Sequence, residues 1–97
     1  MDDDLKRLAG ALLGLESGRM SAQEFCRFFE SLWNLEINKA GLPDELYTCL
    51  DHLFDEVAWF SPYPRDQWEY PHYRDEAQIR QAAVPAMRML GLGDEAG

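Results

Sequence analysis

The chain has 97 residues, enough for one domain with a single modest core, and its hydrophobic fraction of 46% is too high for a disordered chain. Eighteen acidic residues outnumber nine basic ones, so the formal net charge is -9 at pH 7. This charge repels the phosphates of nucleic acids and of anionic membranes, which disfavours direct binding to either, and it attracts basic partners. The alternative is that the acidity serves only solubility.

The N-terminus and the two cysteines indicate a cytoplasmic protein. The opening residues 1–4 lack the basic residues of a signal or transit peptide, and no apolar run approaches the roughly 18 residues of a membrane span. Cys26 and Cys49 lie beside apolar residues at helical positions, as reduced thiols do in a cytosolic core. We therefore expect a single domain over residues 1–97 that does not cross a membrane.

Two amphipathic helices are predicted in the first part of the chain. The first covers residues 3–15 and ends before Gly18, and its leading aspartates suit the positive end of the helix dipole. The second covers residues 21–38 and begins with a capping box, formed by Ser21 and by Glu24 three residues later. The apolar faces consist of Leu5, Leu8, Ala9, Leu12 and Leu13 in the first helix and of Phe25, Phe28, Phe29, Leu32 and Leu35 or Glu36 in the second.

Two further helices are predicted in the second part of the chain, with an irregular segment between them. The third begins at Pro43, a favoured first-turn residue, and ends before Pro62. Residues 61–74 contain three prolines and four aromatic residues (Tyr or Trp) and are not expected to be regular. The fourth helix begins at the N-cap Asp75 and stops at Gly91. The apolar faces consist of Leu46, Leu50, Leu53 and Val57 in the third helix and of Ile79, Ala82, Ala83, Ala86, Met87 and Leu90 in the fourth.

This pattern predicts an all-α protein. No segment alternates between apolar and polar residues with the period of two that indicates a half-buried strand. Four amphipathic helices with short first and second links favour an antiparallel four-helix bundle, with a long Pro/aromatic loop before the last helix. Pro85 lies inside the fourth helix and is expected to kink it, because it removes one backbone hydrogen bond.

The sequence lacks the motifs that catalysis or a cofactor requires. There is no glycine-rich phosphate loop, no HExxH and no CxxC, and the two cysteines have no histidine at zinc-ligand spacing. Asp51 and Asp55 lie four residues apart on the third helix, but acid–base work also needs a pocket and a perturbed pKa, so a solvated face is the simpler interpretation. We therefore expect no enzyme activity, no metal and no cofactor.

Acidic residues concentrate in one third of the chain. Between Gly41 and Glu76, nine acidic residues stand against two basic ones, which leaves a balance of -7 out of the total of -9. Asp51 and Asp55 lie on the face of the third helix opposite its apolar residues, and the helical spacing places Trp59 there too. A tryptophan on a polar face breaks the pattern that the other residues obey, and such breaks tend to mark functional positions.

Two interpretations of the aromatic residues stay open. In the first, the loop folds back and Trp59 packs beneath Trp68 or Tyr70. In the second, the rings are exposed anchors among carboxylates that attract and orient a basic partner. The candidate partner-binding residues are Asp44, Asp51, Asp55, Glu56, Trp59, Tyr63, Asp66, Trp68, Glu69, Tyr70 and Tyr73.

In the order of its motifs the chain resembles the colicin D immunity family, which includes immunity proteins of contact-dependent inhibition and of related bacteriocin systems. The resemblance rests on residues 20–25 (MSAQEF) after a short first helix, on residues 53–62 (LFDEVAWFSP) at the end of a long helix, and on residues 75–80 (DEAQIR) at the start of the last helix. It implies a four-helix fold and a cytoplasmic antitoxin, whose cognate toxin has a C-terminal nuclease domain, often one that cuts tRNA. It implies no contact residue by position, because each family member matches its own toxin.

The leading hypothesis is an immunity protein that covers the basic substrate cleft of a nuclease toxin, as a monomer in a 1:1 complex. A dense acidic and aromatic surface imitates the phosphates and stacked bases of the substrate. The alternatives are an acidic helical adaptor or regulator for another basic protein, and a small acid–base or metal enzyme. Tight, salt-sensitive binding favours the first hypothesis, micromolar binding without protection favours the second, and a bound metal favours the third.

Overall fold

The computed structural model describes residues 3–92, and over these residues the fold is all-helical, as predicted. The second helix, α2 (Ala22–Ser31), continues directly into a π-helical turn, Leu32–Glu36, in which Leu35 is 81% exposed rather than part of the apolar face. Its helical segment therefore ends at Glu36 rather than near Asn38. The reason is a hydrogen bond of 2.9 Å from the Ile37 N–H to the Leu32 carbonyl, which spans five residues instead of four. The four α-helices are α1 (Asp3–Ser17), α2 (Ala22–Ser31), α3 (Asp44–Ala58) and α4 (Glu76–Met89).

Side-chain capping boxes begin α2 and α4, which confirms both predicted helix starts. At α2, the Ser21 hydroxyl accepts a hydrogen bond from the Glu24 N–H at 3.1 Å, and the Glu24 carboxylate accepts one from the Ser21 N–H at 2.9 Å. At α4, Asp75 and Gln78 make the same reciprocal pair at 2.8 and 3.0 Å. Each box provides acceptors for two backbone N–H groups, that of the N-cap residue and that of the third helical residue, which have no partner within the helix.

The end of α4 is also the one that the sequence predicts. Gly91 has a φ of 73°, in the left-handed region that glycine adopts without steric cost. Its N–H donates to the Arg88 carbonyl at 3.1 Å, and the Leu92 N–H donates to the Met87 carbonyl at 2.8 Å, as in a Schellman motif. The helix continues through Pro85 to Met89, and the kink stays a prediction.

The core lies where the four helices meet. α1 packs against α2 and α4, and α3 packs against the same two helices. Phe28, which the pattern assigns to the apolar face of α2, is only half-buried, and its ring lies 5.5 Å from the Arg7 guanidinium. Gly14 permits the close approach of α1 to the start of α2, because a Cβ at this position would lie 3.3 Å from the Met20 Cβ. The largest fully buried side chains are Leu8, Leu12, Leu15, Phe25, Phe29, Leu32, Leu50, Leu53 and Ile79.

The two cysteines are free thiols. Cys26 is buried and Cys49 is half-buried, and burial raises the pKa of Cys26 to about 12 and that of Cys49 above its usual range. Both therefore stay protonated near neutral pH and act as small apolar side chains. Among the helices of residues 3–92, none is both long enough and apolar enough to span a bilayer.

The capping box of α2 gives a direct test of this fold. We expect Ser21→Ala to lower the free energy of unfolding by about 1 kcal/mol, because the Glu24 N–H loses its acceptor. Ser31→Ala is the matched control, since Ser31 is also exposed but its side chain makes no capping bond. Urea unfolding followed by circular dichroism measures both changes. Equal stability of the two variants would contradict a stabilising role for the box.

Candidate protein-binding site

The segment between α3 and α4 closes on itself at its base. The Ser61 N–H donates to the Arg74 carbonyl at 2.9 Å, and the Arg74 N–H donates to the Trp59 carbonyl at 2.8 Å. These two bonds form an isolated parallel bridge between Phe60 and Arg74. Within the segment, Arg65–Gln67 form one 3-10 turn. Residues 61–73, which we call the loop, therefore leave the helices and return at nearly the same place, as in an Ω-loop.

An ion pair reinforces the base of the loop. The Arg74 guanidinium donates to the Glu56 carboxylate on α3 at 2.7 Å and to the His72 carbonyl at 2.9 Å. Glu56, one of the candidate partner-binding residues, is half-buried and its carboxylate is already paired with Arg74, unlike those of Asp51 and Asp55. Its charge is offset by Arg74 and is not free to attract a partner. The physical reason is that the loop folds back over the last turn of α3.

A second ion pair joins the loop to the start of α4. The Arg65 guanidinium binds the Asp75 carboxylate at 2.6 Å. The pKa of Asp75 lies below its usual range, mainly because the Gln78 N–H donates to the carboxylate, and further because Arg65 does. One carboxylate therefore caps α4 and holds the loop at the same time.

Five rings form an aromatic cluster at the end of α3: Trp59, Trp68, Tyr70, His72 and Tyr73. Tyr73 lies at its centre, with its ring centroid 5.7 Å from Trp59, 5.9 Å from Trp68 and 5.9 Å from Tyr70. His72 contacts Trp59 edge to face at 4.6 Å and stacks on Tyr70 at 6.0 Å. Such ring pairs contribute beyond the apolar area they bury, so the cluster gives the loop a defined shape.

The loop folds back onto Trp59, as the first interpretation expects, and some rings stay exposed, as the second requires, while their role as anchors for a partner stays a prediction. Trp59 does pack against the loop, but it contacts His72 and Tyr73 rather than Trp68 or Tyr70. The reason is that the Arg74 N–H donates to the Trp59 carbonyl at 2.8 Å, which brings His72 and Tyr73, the residues just before Arg74, beside Trp59. Trp59 nevertheless keeps 41% of its surface exposed, and Tyr70 keeps 50%.

The remaining aromatic candidates also differ in exposure. Tyr63 is 66% exposed, and its carbonyl accepts a 2.9 Å hydrogen bond from the Trp68 indole N–H. Trp68 and Tyr73 are half-buried and belong to the interior of the loop. The rings that a partner can reach most easily are therefore those of Trp59, Tyr63 and Tyr70.

Most acidic candidates have no ion-pair partner. Both basic side chains between residues 41 and 76 are already paired, with Asp75 and with Glu56. Among the acids of this region that have no ion pair within residues 3–92, Asp51 is half-exposed and the rest are exposed. The acidic residues of this region without an ion pair within residues 3–92 are Asp44, Glu45, Asp51, Asp55, Asp66 and Glu69.

The candidate residues do not all lie together. Asp51, Asp55 and Trp59 follow each other at one-turn spacing and lead to the aromatic cluster. Asp44 begins α3, and at 1.5 Å per residue it lies about 22 Å from Trp59. The site therefore consists of the last two turns of α3 and the loop, with Asp44 at a distance.

Two structural features of this region were not predicted from the sequence. One is Arg74, whose role at the base of the loop is signalled only by its being one of two basic residues in an acidic region. The other is a groove between α3 and α4, whose lining includes Cys49 and Met89. Within residues 3–92, no group of three His, Cys, Asp or Glu side chains is placed to hold a metal ion.

The ion pair of Arg74 can be tested through the backbone bonds beside it. Arg74→Ala removes the side-chain bonds to Glu56 and His72, so we expect the Ser61 amide to exchange about fivefold faster, as for loss of a partly exposed ion pair of about 1 kcal/mol. Hydrogen exchange followed by NMR measures this rate. Arg88→Ala is the matched control, because Arg88 is exposed and has no ion pair within residues 3–92. Unchanged exchange in the Arg74 variant would show that the main-chain bonds hold the loop alone.

No protein-family model matches the chain, and no curated protein or solved structure is significantly similar to it. The resemblance to the colicin D immunity family therefore stays a prediction from the sequence. What this surface does has to follow from its own charges, rings and contacts.

Proposed function

We propose that this protein is an immunity protein, which binds the C-terminal nuclease domain of a cognate toxin and neutralises it. The observation that carries the proposal is the set of carboxylates without ion pairs beside exposed aromatic rings on a loop held at its base. The proposal includes an antiparallel order of the four helices, a cytoplasmic location and a 1:1 complex. A tRNA-cleaving RNase is the favoured toxin, and no direct contact with nucleic acid is involved.

Electrostatics supports a basic partner. The unpaired carboxylates extend from α3 to the loop, and a surface of one sign raises the association rate with an oppositely charged protein from about 10⁶ to about 10⁸ M⁻¹s⁻¹ or more at low salt. A nuclease must hold a polyanion, so its substrate cleft carries the lysine and arginine side chains that such a surface attracts. Carboxylates placed in that cleft form charge-assisted hydrogen bonds and exclude the substrate.

The aromatic rings slow the dissociation of the complex. Trp59, Tyr63 and Tyr70 are each at least two-fifths exposed, and Trp59 and Tyr70 are already held by ring contacts within the cluster. Because their rotamers are restricted before binding, less conformational entropy is lost when a partner covers them. Tryptophan and tyrosine are also the residues on which binding energy concentrates in protein interfaces. Together, the charges determine how fast a partner arrives and the rings determine how long it stays.

Recovery of the partner from the native bacterium tests the proposal. The full chain is used as bait, the bound protein is identified by mass spectrometry, and its basic domain is expressed in cells with and without this protein. We expect the domain to stop growth alone and to be harmless when the two are co-expressed. Survival of cells that express the domain alone would overturn the proposal. Recovery of a small cytosolic regulator instead would favour an acidic adaptor.

Reversal of single charges tests the acidic part of the surface. We expect Asp51→Lys or Asp55→Lys to slow association with the toxin domain about fivefold at low salt, with less effect at high salt, because the charges act at a distance. Glu16→Lys is the matched control, since Glu16 is an exposed acid on α1 without an ion pair within residues 3–92. Stopped-flow binding measures the rates, and circular dichroism checks the helices. Equal slowing by all three reversals would mean that the association rate depends on the net charge of the protein and not on the position of Asp51 and Asp55.

Truncation of Trp59 tests the aromatic part. We expect Trp59→Ala to raise the dissociation rate about thirtyfold, equivalent to about 2 kcal/mol of binding free energy. Since 41% of the side chain is exposed, we expect the unfolding free energy to fall by less than the roughly 3–5 kcal/mol of a fully buried tryptophan. Leu35→Ala is the control, because Leu35 is 81% exposed and lies outside the loop. A large loss of stability with an unchanged dissociation rate would make Trp59 a purely structural residue.

A further inference from the structure

α3 and α4 leave a groove of about 570 Å³ between them, within the size range of pockets that receive a ligand or a partner's side chains. The groove runs along both helices. Its lining includes Cys49 on α3 and, at one-turn intervals, Ala82, Pro85 and Met89 on α4. Two of the residues that line it on α4, Ala82 and Pro85, have short side chains. Met89 forms part of its wall and is 44% exposed.

The charges around the groove are of one sign. Glu45, Asp55 and Glu56 line it, and no lysine or arginine does. Glu56 is paired with Arg74, but the other two have no ion pair within residues 3–92. His52 also lines the groove and is exposed. The result is an apolar groove with an acidic edge, which complements a segment that carries apolar and basic side chains together.

We infer that this groove docks a basic, amphipathic segment of the protein partner. An apolar side chain of that segment lies between Cys49 and Met89, and neighbouring lysine or arginine side chains pair with Glu45 and Asp55. The identity of the partner as a toxin domain rests on the proposed function, whereas the chemistry of the segment follows from the groove itself.

The side chains of the groove suit this occupant. Met89 is unbranched and has three rotatable bonds, so it can adjust to the shape of an inserted side chain. Asp55, which would bind a lysine or arginine of the partner, lies one helical turn from Trp59. The groove therefore extends the acidic and aromatic surface along α3, and a partner can cover both at once.

Two synthetic peptides test the groove on the full chain, labelled at its methionine methyl groups. One peptide alternates lysine and leucine, and the other replaces each leucine with serine and keeps the charge. We expect the lysine–leucine peptide to shift the Met89 methyl resonance, and the shift to reach a plateau as the peptide concentration rises. This peptide should bind about tenfold more tightly than the lysine–serine peptide, because only the first buries apolar area. Met87, which is buried in the core, provides the reference resonance.

Filling the groove is the complementary test. We expect Ala82→Leu, which adds apolar volume without changing charge, to weaken binding of the lysine–leucine peptide about fivefold. Ala77→Leu is the matched control, because Ala77 is exposed on the same helix and does not line the groove. If Ala82→Leu lowers helicity, Met89→Gln serves instead, since it changes an exposed wall residue from apolar to polar.

The outcomes separate this inference from the proposed function. Equal binding of the two peptides, or an unchanged Met89 resonance, would overturn the groove as a docking site and leave protection against the toxin domain to be judged independently. Conversely, peptide binding in the groove without any protection would remove the toxin as partner and keep the docking site for a basic segment of another protein.

Discussion

Arg74 takes part in four hydrogen bonds where the loop returns to the helices. Its main-chain N–H and carbonyl pair with Trp59 and Ser61, and its guanidinium binds Glu56 and the His72 carbonyl. The positions of the aromatic cluster and of the start of α4 follow from this junction, because both lie within a few residues of it. Without it, the loop would be held only by its covalent links to α3 and α4 and by the ion pair between Arg65 and Asp75, and it would gain conformational entropy at the expense of the order that brings its rings together.

The helices follow from the sequence more closely than the loop does. Apolar spacing and two capping boxes specify α2 and α4, because these signals depend on residues within one or two turns of each other. The π-helical end of the second helical segment has no such local signal. The contacts of Trp59 could not be predicted from local sequence either, because they join it to His72 and Tyr73 at the far end of the loop.

The same distinction separates the acidic residues. Composition alone identifies an acidic region, but it does not say which carboxylates are neutralised. The structure removes Glu56 from the free charges, because Arg74 reaches it from the far end of the loop. It leaves Asp51 and Asp55 unpaired on α3. Unpaired like charges repel one another and cost stability, and the proposed role of this surface in attracting a basic partner accounts for their lying together.

Main-chain atoms join Phe60 and Arg74 at the base of the loop, and main-chain hydrogen bonds do not depend on which side chains the loop carries. At the exposed tip, the side chains of Tyr63 and Asp66 take no part in these main-chain bonds or in the ion pair between Arg65 and Asp75. Under the proposed function, substitutions of these two side chains change what the surface recognises and leave the base of the loop in place. A new specificity then does not have to be compensated by changes in the core.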